Sequence, residues 1–260
     1  MILRGVVFSQ VLEMDTGITV VTGMPQQGHP YKVIYLLHGL CGSNSNWVDN
    51  TMLPVYAAEY NTIFIMPDST RSFYTDMVHG QKYFSYITEE LPEICSNIFN
   101  ISSKRQDTAI MGNSMGGYGA LKAALRFPEK YSYCAAFSPG CLFLKDFLAQ
   151  MRDREKLPTI MAAYGERFVK DFICVFGENF TYDADNELLE LAHKLQDRPE
   201  KPKLYVACGT RDYLHGFNVK FREEMKSIKL DFTFEQWPGE HDWYFFNQAL
   251  KKGLEFQQKI

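Results

Sequence analysis

The feature that most constrains this chain is a serine set between glycines where a strand meets a helix. Residues 109–111 are a short apolar run, and Gly112-Asn113-Ser114-Met115-Gly116 follows it with the spacing G-x-S-x-G. Such a turn strains the backbone at the serine, and glycine two residues away on each side removes a β-carbon that would collide. Residues 120–126 are strong helix formers. The pattern therefore predicts strand, tight turn and helix, with the Ser114 hydroxyl raised above the sheet as a nucleophile.

Composition and other motifs exclude several classes of protein. The glycine spacing differs from G-x-G-x-x-G, and G-x-x-x-x-G-K-[ST] is missing, so nucleotide binding is disfavoured. A formal net charge of −4 without a basic cluster disfavours nucleic acid as a partner. The six cysteines are scattered without a C-x-x-C pair, which disfavours a zinc site. We find no readable signal peptide and no apolar run long enough to span a membrane, and we expect a cytoplasmic protein with reduced thiols.

Continuous apolar runs, typical of strands buried on both faces, alternate with helix-compatible segments. An antiparallel hairpin within residues 3–23, turning at 15–17, comes first and is followed by a loop at 24–30. The runs predicted as further strands are 32–37, 62–66, 109–111, 133–138, 203–208 and 232–237, and the predicted helices include 47–60, 83–97 and 244–257. This alternation predicts an α/β fold with a mostly parallel central sheet, antiparallel N-terminal strands and helices on both faces.

Residues 141–200 interrupt the alternation. They are charged, helix-prone and rich in phenylalanine. We interpret them as a helical insertion over the active-site edge of the sheet, within a single domain that spans residues 1–260. No repeat or linker divides the chain.

A serine nucleophile needs a base and an acid that orients the base. Chain order Ser…Asp…His is the order that this architecture uses. His241 lies in the loop after the last predicted strand, and Asp212 ends the loop after the strand before it. Both are predicted to act with Ser114. His79, in a loop that could face the pocket, is a weaker candidate base, and an ion pair with Arg211 is the alternative role for Asp212.

The tetrahedral intermediate of acyl transfer also needs backbone N–H donors for its oxyanion. The amide of Met115, next to the nucleophile, is one predicted donor. The amide of Leu40 is the other, because Gly39 lets the chain turn its amides inward after a buried strand. Side chains predicted to line the substrate pocket are Trp47, Tyr74, Met77 and Trp243.

Several segments together resemble the esterase D group of α/β-hydrolases, which includes S-formylglutathione hydrolases, feruloyl esterases and bacterial tributyrin (acetyl) esterases. The resemblance is greatest to the tributyrin esterase branch. The segments that carry it are residues 35–39, 71–77, 112–121, 207–212 and 238–243. It implies an α/β-hydrolase fold and a triad of Ser114, Asp212 and His241 that needs neither a metal nor an organic cofactor.

These patterns predict a serine carboxylesterase that cleaves short or medium acyl esters, of acetyl or hydroxycinnamoyl type, through an acyl-enzyme. A thioesterase of the S-formylglutathione hydrolase kind, an acyltransferase, a peptidase or a lipase could use the same groups. An inactive α/β-hydrolase serving as a binding module is an alternative from another class. The expected partner is a small-molecule ester, and aromatic residues in the insertion would allow a homo-oligomer.

Overall fold

The computed structural model describes residues 1–23 and 29–258. Eight strands form one sheet in the order β1-β2-β4-β3-β5-β6-β7-β8. The strands are β1 Ile2–Ser9, β2 Met14–Thr22, β3 Lys32–Leu37, β4 Thr62–Pro67, β5 Thr108–Asn113, β6 Tyr133–Phe137, β7 Lys203–Gly209 and β8 Phe232–Trp237. The helices are α1 Asn46–Asn50, α2 Leu53–Ala57, α3 Tyr83–Ser85, α4 Leu91–Ile98, α5 Met115–Arg126, α6 Leu144–Arg152, α7 Leu157–Tyr164, α8 Glu166–Phe176, α9 Leu188–Leu195, α10 His215–Met225 and α11 Trp243–Gln258.

The sheet is parallel from β4 to β8, while β1 pairs antiparallel with β2 and β2 pairs antiparallel with β4. This is the predicted α/β architecture. Parallel neighbours need crossover connections, and the helices that make them cover both faces. Side chains of β3 alternate between the two layers: Tyr35 and Leu37 pack towards α5 and the insertion, whereas Ile34 and Leu36 pack towards α1, α2 and α11.

The turn of the N-terminal hairpin lies at residues 10–13, so the predicted turn at 15–17 is wrong. Gly17 lies inside β2, where an added β-carbon would be 2.6 Å from Asp68 Oδ2. Glycine is present there because the side chains of Asn44 and Asp68 approach the strand closely. The glycine that suggested a turn in the sequence is therefore explained by this close contact. Residues 24–28 of the predicted loop lie outside the described residues.

The predicted helix at 83–97 is interrupted by a π-helical turn, Tyr86–Glu90, between α3 and α4. Pro92 has no N–H to offer the preceding turn. The Nζ of Lys130 donates instead to the carbonyl of Thr88 at 2.8 Å. A cation from another element thus satisfies the group that the proline leaves without its helical donor.

The predicted insertion contains α6, α7, α8 and α9, and it packs on the elements that carry the serine. Tyr118 of α5 donates to the carbonyl of Asn186 at 2.7 Å. The amides of Val78 and His79 donate to carbonyls of α8 at 3.1 and 2.9 Å. The insertion is therefore tied both to α5 and to the loop before α3 that carries Val78 and His79. Among the described residues, no helix is long and apolar enough to cross a membrane.

Candidate active site

Ser114 joins β5 to α5 in a strained conformation, with φ 53° and ψ −119°. A β-carbon at Gly112 would lie 2.5 Å from the carbonyl carbon of Gly116, and one at Gly116 would lie 2.6 Å from the carbonyl oxygen of His38. Only glycine fits at either position without moving backbone. The G-x-S-x-G spacing therefore follows from the tight packing of β5, α5 and the end of β3.

The structure brings Ser114, His241 and Asp212 into one chain of hydrogen bonds. Nε2 of His241 lies 2.9 Å from Oγ of Ser114, and Nδ1 of His241 lies 2.8 Å from Oδ2 of Asp212. The Asp212 side chain is fully buried, and its Oδ1 accepts from the amide of Leu214 at 2.8 Å. Both carboxylate oxygens thus have donors. The geometry fits a base between a nucleophile and an orienting acid.

Opposing effects act on the pKa of Asp212. Burial raises the pKa of this carboxyl, but the hydrogen bond and charge of His241 and the Leu214 amide more than compensate. The net pKa lies below its ordinary value, so Asp212 is a carboxylate at neutral pH. The carboxylate accepts a hydrogen bond from the N–H at Nδ1, which leaves the lone pair of Nε2 directed at the Ser114 hydroxyl.

Two aromatic rings flank the imidazole of His241. The ring of Tyr213 lies 4.7 Å from it between centroids, and Phe246 meets it edge-on at 5.1 Å. Phe246 is buried, whereas Tyr213 is 67% exposed and so forms a wall on the solvent side. Neither residue was predicted from the sequence. Their positions next to Asp212 and on the first turn of α11 are the signal that could have found them.

The Leu40 loop packs directly against the nucleophile. An added β-carbon at Gly39 would lie 3.4 Å from Cβ of Ser114 and 3.1 Å from Nδ2 of Asn113. Leu40 is the next residue along the chain. Met115 is the first residue of α5, and an amide at that position has no acceptor within its own helix. Met115 thus adjoins Ser114 along the chain, and Leu40 follows the glycine that packs against it. The role of the two amides in an oxyanion hole remains a prediction.

His38 and His79 occupy other environments. Nε2 of His38 accepts from the amide of Ser69 at 3.0 Å, and its Nδ1 lies 2.8 Å from the Gly39 carbonyl. Burial lowers the pKa of His38, which suits a neutral ring that pins two loops together. His79 is exposed and lies 3.0 Å from Oε2 of Glu178. The imidazole that contacts the Ser114 hydroxyl is that of His241, so the position of His79 does not support its candidacy as the base.

Arg211 does not pair with Asp212. Its Nε lies 3.4 Å from Oε1 of Glu240, and both side chains are largely exposed. The alternative role of Asp212 as the partner of Arg211 is therefore wrong. The amide of Asp212 donates to the carbonyl of Gly209 at 3.1 Å in the turn after β7, and the carboxylate points inward to His241.

Trp47 and Tyr74 belong to the core, which corrects the prediction that they line the pocket. Trp47 is fully buried and donates from Nε1 to the carbonyl of Leu37 at 3.0 Å. Tyr74 is almost fully buried, and its hydroxyl donates to the His38 carbonyl at 2.9 Å. Both rings support the end of β3 from within. Proximity in sequence to catalytic loops did not reveal which way each ring turns.

The other two predicted pocket residues are partly buried. Trp243 packs edge-on against Trp47 and Phe246, at 5.2 and 5.6 Å between centroids. Met77 packs on the core cluster beside α5. Their predicted contact with substrate remains a prediction.

Arg71 links the Leu40 loop to the insertion, a role that was not predicted from the sequence. Its Nη1 lies 2.6 Å from Sγ of Cys41, and its Nε lies 2.7 Å from Oδ2 of the buried Asp171. Arg167 shares the same carboxylate at 3.1 Å. The insertion therefore supports the residue that follows Leu40.

Comparison with known proteins places this geometry in a recognised group. The Esterase family model matches residues 9–256. The chain is 30% identical over 234 residues to an acetyl esterase of Caldicellulosiruptor saccharolyticus, covering 88% of this chain and 84% of that protein. FphF, a fluorophosphonate-binding serine hydrolase of Staphylococcus aureus, superposes with a TM-score of 0.84 at 26% identity, covering 99% and 98% of the two chains. The S-formylglutathione hydrolase FrmB of Staphylococcus aureus superposes at 0.81 with the same identity and coverage.

The eight-stranded sheet, the strained serine turn and these neighbours define an α/β-hydrolase of the ester-hydrolysing serine hydrolase class. The resemblance inferred from the motifs is confirmed. More narrowly, the chain belongs to the Esterase family.

Proposed function

We propose that this chain is a carboxylesterase for short and medium acyl esters, with Ser114 as nucleophile, His241 as base and Asp212 as the orienting acid. The observation that carries the proposal is the unbroken hydrogen-bond chain, 2.9 Å from Ser114 to His241 and 2.8 Å from His241 to Asp212. Ser114 and Asp212 are more than 90 residues apart along the chain, and Asp212 and His241 are more than 25 residues apart. A buried ionised acid at the end of that chain suits a base that gains a proton during the reaction.

In acylation, Oγ of Ser114 attacks the ester carbonyl while Nε2 of His241 takes the hydroxyl proton. The imidazolium that forms is stabilised by the Asp212 carboxylate. The carbonyl oxygen becomes an oxyanion, which the amides of Leu40 and Met115 would bind. Collapse of the tetrahedral intermediate expels the alcohol, which receives the proton from His241.

In deacylation, water replaces the alcohol. Nε2 of His241 removes a proton from the water as it attacks the acyl-enzyme. The second tetrahedral intermediate then expels Oγ of Ser114, which takes the proton back from His241, and the acid is released. The reacting groups are thus an ester, water and the protein's own side chains.

The acyl group is proposed from the relatives. The chain resembles an acetyl esterase over most of its length, which favours a short acyl group. Hydroxycinnamoyl esters are a second proposed substrate class, because the esterase D group that the sequence resembles includes feruloyl esterases. Thioester hydrolysis is the second candidate activity, because the S-formylglutathione hydrolase FrmB shares the fold at 26% identity.

The test is a panel of p-nitrophenyl esters from acetate to decanoate, with methyl ferulate and an S-acyl glutathione, on wild type and Ser114→Ala. We expect ester turnover that peaks at short chains and falls by at least 10³-fold in the variant. Labelling of wild type, but not Ser114→Ala, by a fluorophosphonate probe identifies the nucleophile. Ser96→Ala, at an exposed serine of α4, is the control and should keep full activity. Ester turnover that survives Ser114→Ala would refute the proposal, and a preference for the thioester would select the second candidate.

A further inference from the structure

The outermost strand of the sheet carries apolar side chains into solvent. β1 ends the strand order, and in the described part of the chain no strand pairs with its free edge. Ile2, Leu3, Val6 and Phe8 are 46%, 43%, 68% and 56% exposed. Proteins usually protect such an edge with proline, lysine or a bulge. β1 contains none of these, and Arg4 is its one charged residue.

The direction of each backbone group in β1 follows from its pairing with β2. The amide of Thr22 donates to the carbonyl of Met1 at 3.0 Å, and the amino group of Met1 donates to the carbonyl of Thr22 at 2.6 Å. Hydrogen-bonded pairs alternate with non-bonded pairs along an antiparallel ladder. Odd-numbered residues of β1 therefore face β2, and the N–H and C=O groups of the even-numbered residues point out from the free edge.

We propose that β1 is a dimer interface, at which a second copy of this chain pairs antiparallel with it across a two-fold axis at Gly5. In this register Ile2 lies opposite Phe8 of the partner subunit, and Arg4 lies opposite Val6 of the partner subunit. The two eight-stranded sheets then form one continuous sheet through the assembly. A two-fold pairing is self-complementary, so one strand supplies both halves of the interface.

The register is chosen by hydrogen bonding and charge. Only even residues have outward groups, so an even residue must face an even residue. With Gly5 on the axis, the four outward-facing residues form four reciprocal pairs. Centring on Arg4 would set two guanidinium groups opposite each other, which is unfavourable. Centring on Val6 would leave Ile2 beyond the paired region and reduce the reciprocal pairs to three.

The side chains favour the same register. Every second side chain of a strand lies on the same face, so Ile2, Val6 and Phe8 share one face of β1. Apolar cross-strand pairs on that face stabilise a ladder. Arg4 shares that face, and its guanidinium bonds Asp49 of α1, with Nη1 3.3 Å from Oδ2. The ion pair directs the charge back over its own subunit. The apolar side chains are thus left to form the contact.

Sedimentation and light scattering on the full chain test the proposal. We expect wild type to have about twice the chain mass of 30.0 kDa at micromolar concentration. Val6→Pro should be monomeric, because it removes an outward N–H and none of the hydrogen bonds to β2. Ile98→Lys, at a residue that is 58% exposed on α4, is the control and should remain dimeric. Thermal unfolding checks that both variants fold, and Val6→Lys provides a second edge variant should Val6→Pro be unstable.

The register is tested by Gly5→Cys. An added β-carbon at Gly5 has no described atom within 4 Å, so the substitution fits the subunit. Directly opposite β-carbons in a non-hydrogen-bonded pair lie close enough to form a disulfide with a small adjustment. Mild oxidation should give a covalent dimer, whereas wild type, with its exposed Cys41, should not. A monomeric wild type, or a dimer that neither Val6→Pro dissociates nor Gly5→Cys cross-links, would overturn the proposal.

Discussion

A β-carbon added to Gly209 would lie 2.6 Å from the carbonyl carbon of Gly239. The loops that carry Asp212 and His241 therefore touch backbone to backbone. The amide of Arg211 donates to the Gly239 carbonyl at 3.0 Å, and this bond fixes the separation of the two loops. The distance between Asp212 and His241 thus depends on residue 209 being glycine, because any side chain there would push the two loops apart.

Gly209→Ala should damage activity more than it damages the fold. The added methyl group pushes the Asp212 loop away from the His241 loop, and a displacement of about 1 Å in a catalytic group can cost about 10²-fold in rate. We expect kcat/KM for p-nitrophenyl acetate to fall by roughly 10- to 100-fold. Gly216→Ala, where an added β-carbon meets no described atom within 4 Å, should match wild type. Equal activity of the two variants would mean that this contact does not align the site.

Asp212→Asn should lower kcat by about 10⁴-fold with little effect on stability, because an amide favours the wrong imidazole tautomer while keeping the shape. The matched control is Asp242→Asn. Asp242 adjoins His241 in sequence, but its Oδ1 accepts from the amide of Phe245 at 2.9 Å at the start of α11. Asparagine can still accept that bond, so the control should keep kcat within a few-fold. Similar losses in both variants would remove Asp212 from its proposed role.

Lys122 should make stability depend on pH. It is fully buried on α5, and its Nζ donates to Oγ1 of Thr75 at 2.8 Å and to Oδ1 of Asn186 at 3.0 Å. Burial lowers the pKa of Lys122 to about 7. In the unfolded chain the pKa of a lysine is about 10.4. Between these values the unfolded chain binds more protons, so the free energy of unfolding rises with pH across that range and gains nothing from this group below it.

Urea unfolding of wild type and Lys122→Met at pH 7 and pH 9 measures this linkage. The variant lacks the titrating group, so wild type should gain about 2 kcal/mol more than the variant between the two pH values. The comparison is between pH dependences, because methionine also leaves the Thr75 and Asn186 oxygens without their donor. Lys251→Met, at an exposed lysine of α11, should follow wild type. Parallel pH profiles for wild type and Lys122→Met would contradict the prediction.

Trp47→Phe should lower stability without changing acyl-chain preference. The substitution removes the donor to the Leu37 carbonyl and leaves a gap against Trp243, at a cost of about 1–3 kcal/mol in the free energy of unfolding. Thermal or urea unfolding measures the loss. The ratio of acetate to decanoate turnover should stay as in wild type. A changed ratio would return Trp47 to the wall of the substrate pocket.

The strands and the reactive side chains were predictable because their patterns are local. Residues 32–37 and 232–237 were assigned as strands with the bounds the structure has. Ser114, Asp212 and His241 were selected by residue type, chain order and position after strands, and the structure brings them within hydrogen-bonding distance. The hairpin turn was predicted at the wrong residues because Gly17 is required by contact with the side chains of Asn44 and Asp68, which are distant in sequence, and not by a turn.

By itself, the sequence determined the α/β class, the nucleophile turn and the order of the catalytic candidates, because strand periodicity, glycine spacing and residue chemistry act over a few residues. Only the tertiary structure decided which aromatic rings turn inward, such as Trp47, and which flank the imidazole, such as Tyr213. It alone paired Arg71 with Asp171 and, among the described residues, left the outer edge of β1 without a pairing strand. These features depend on how distant segments fill space against one another, and close packing of that kind has no local signature in the chain.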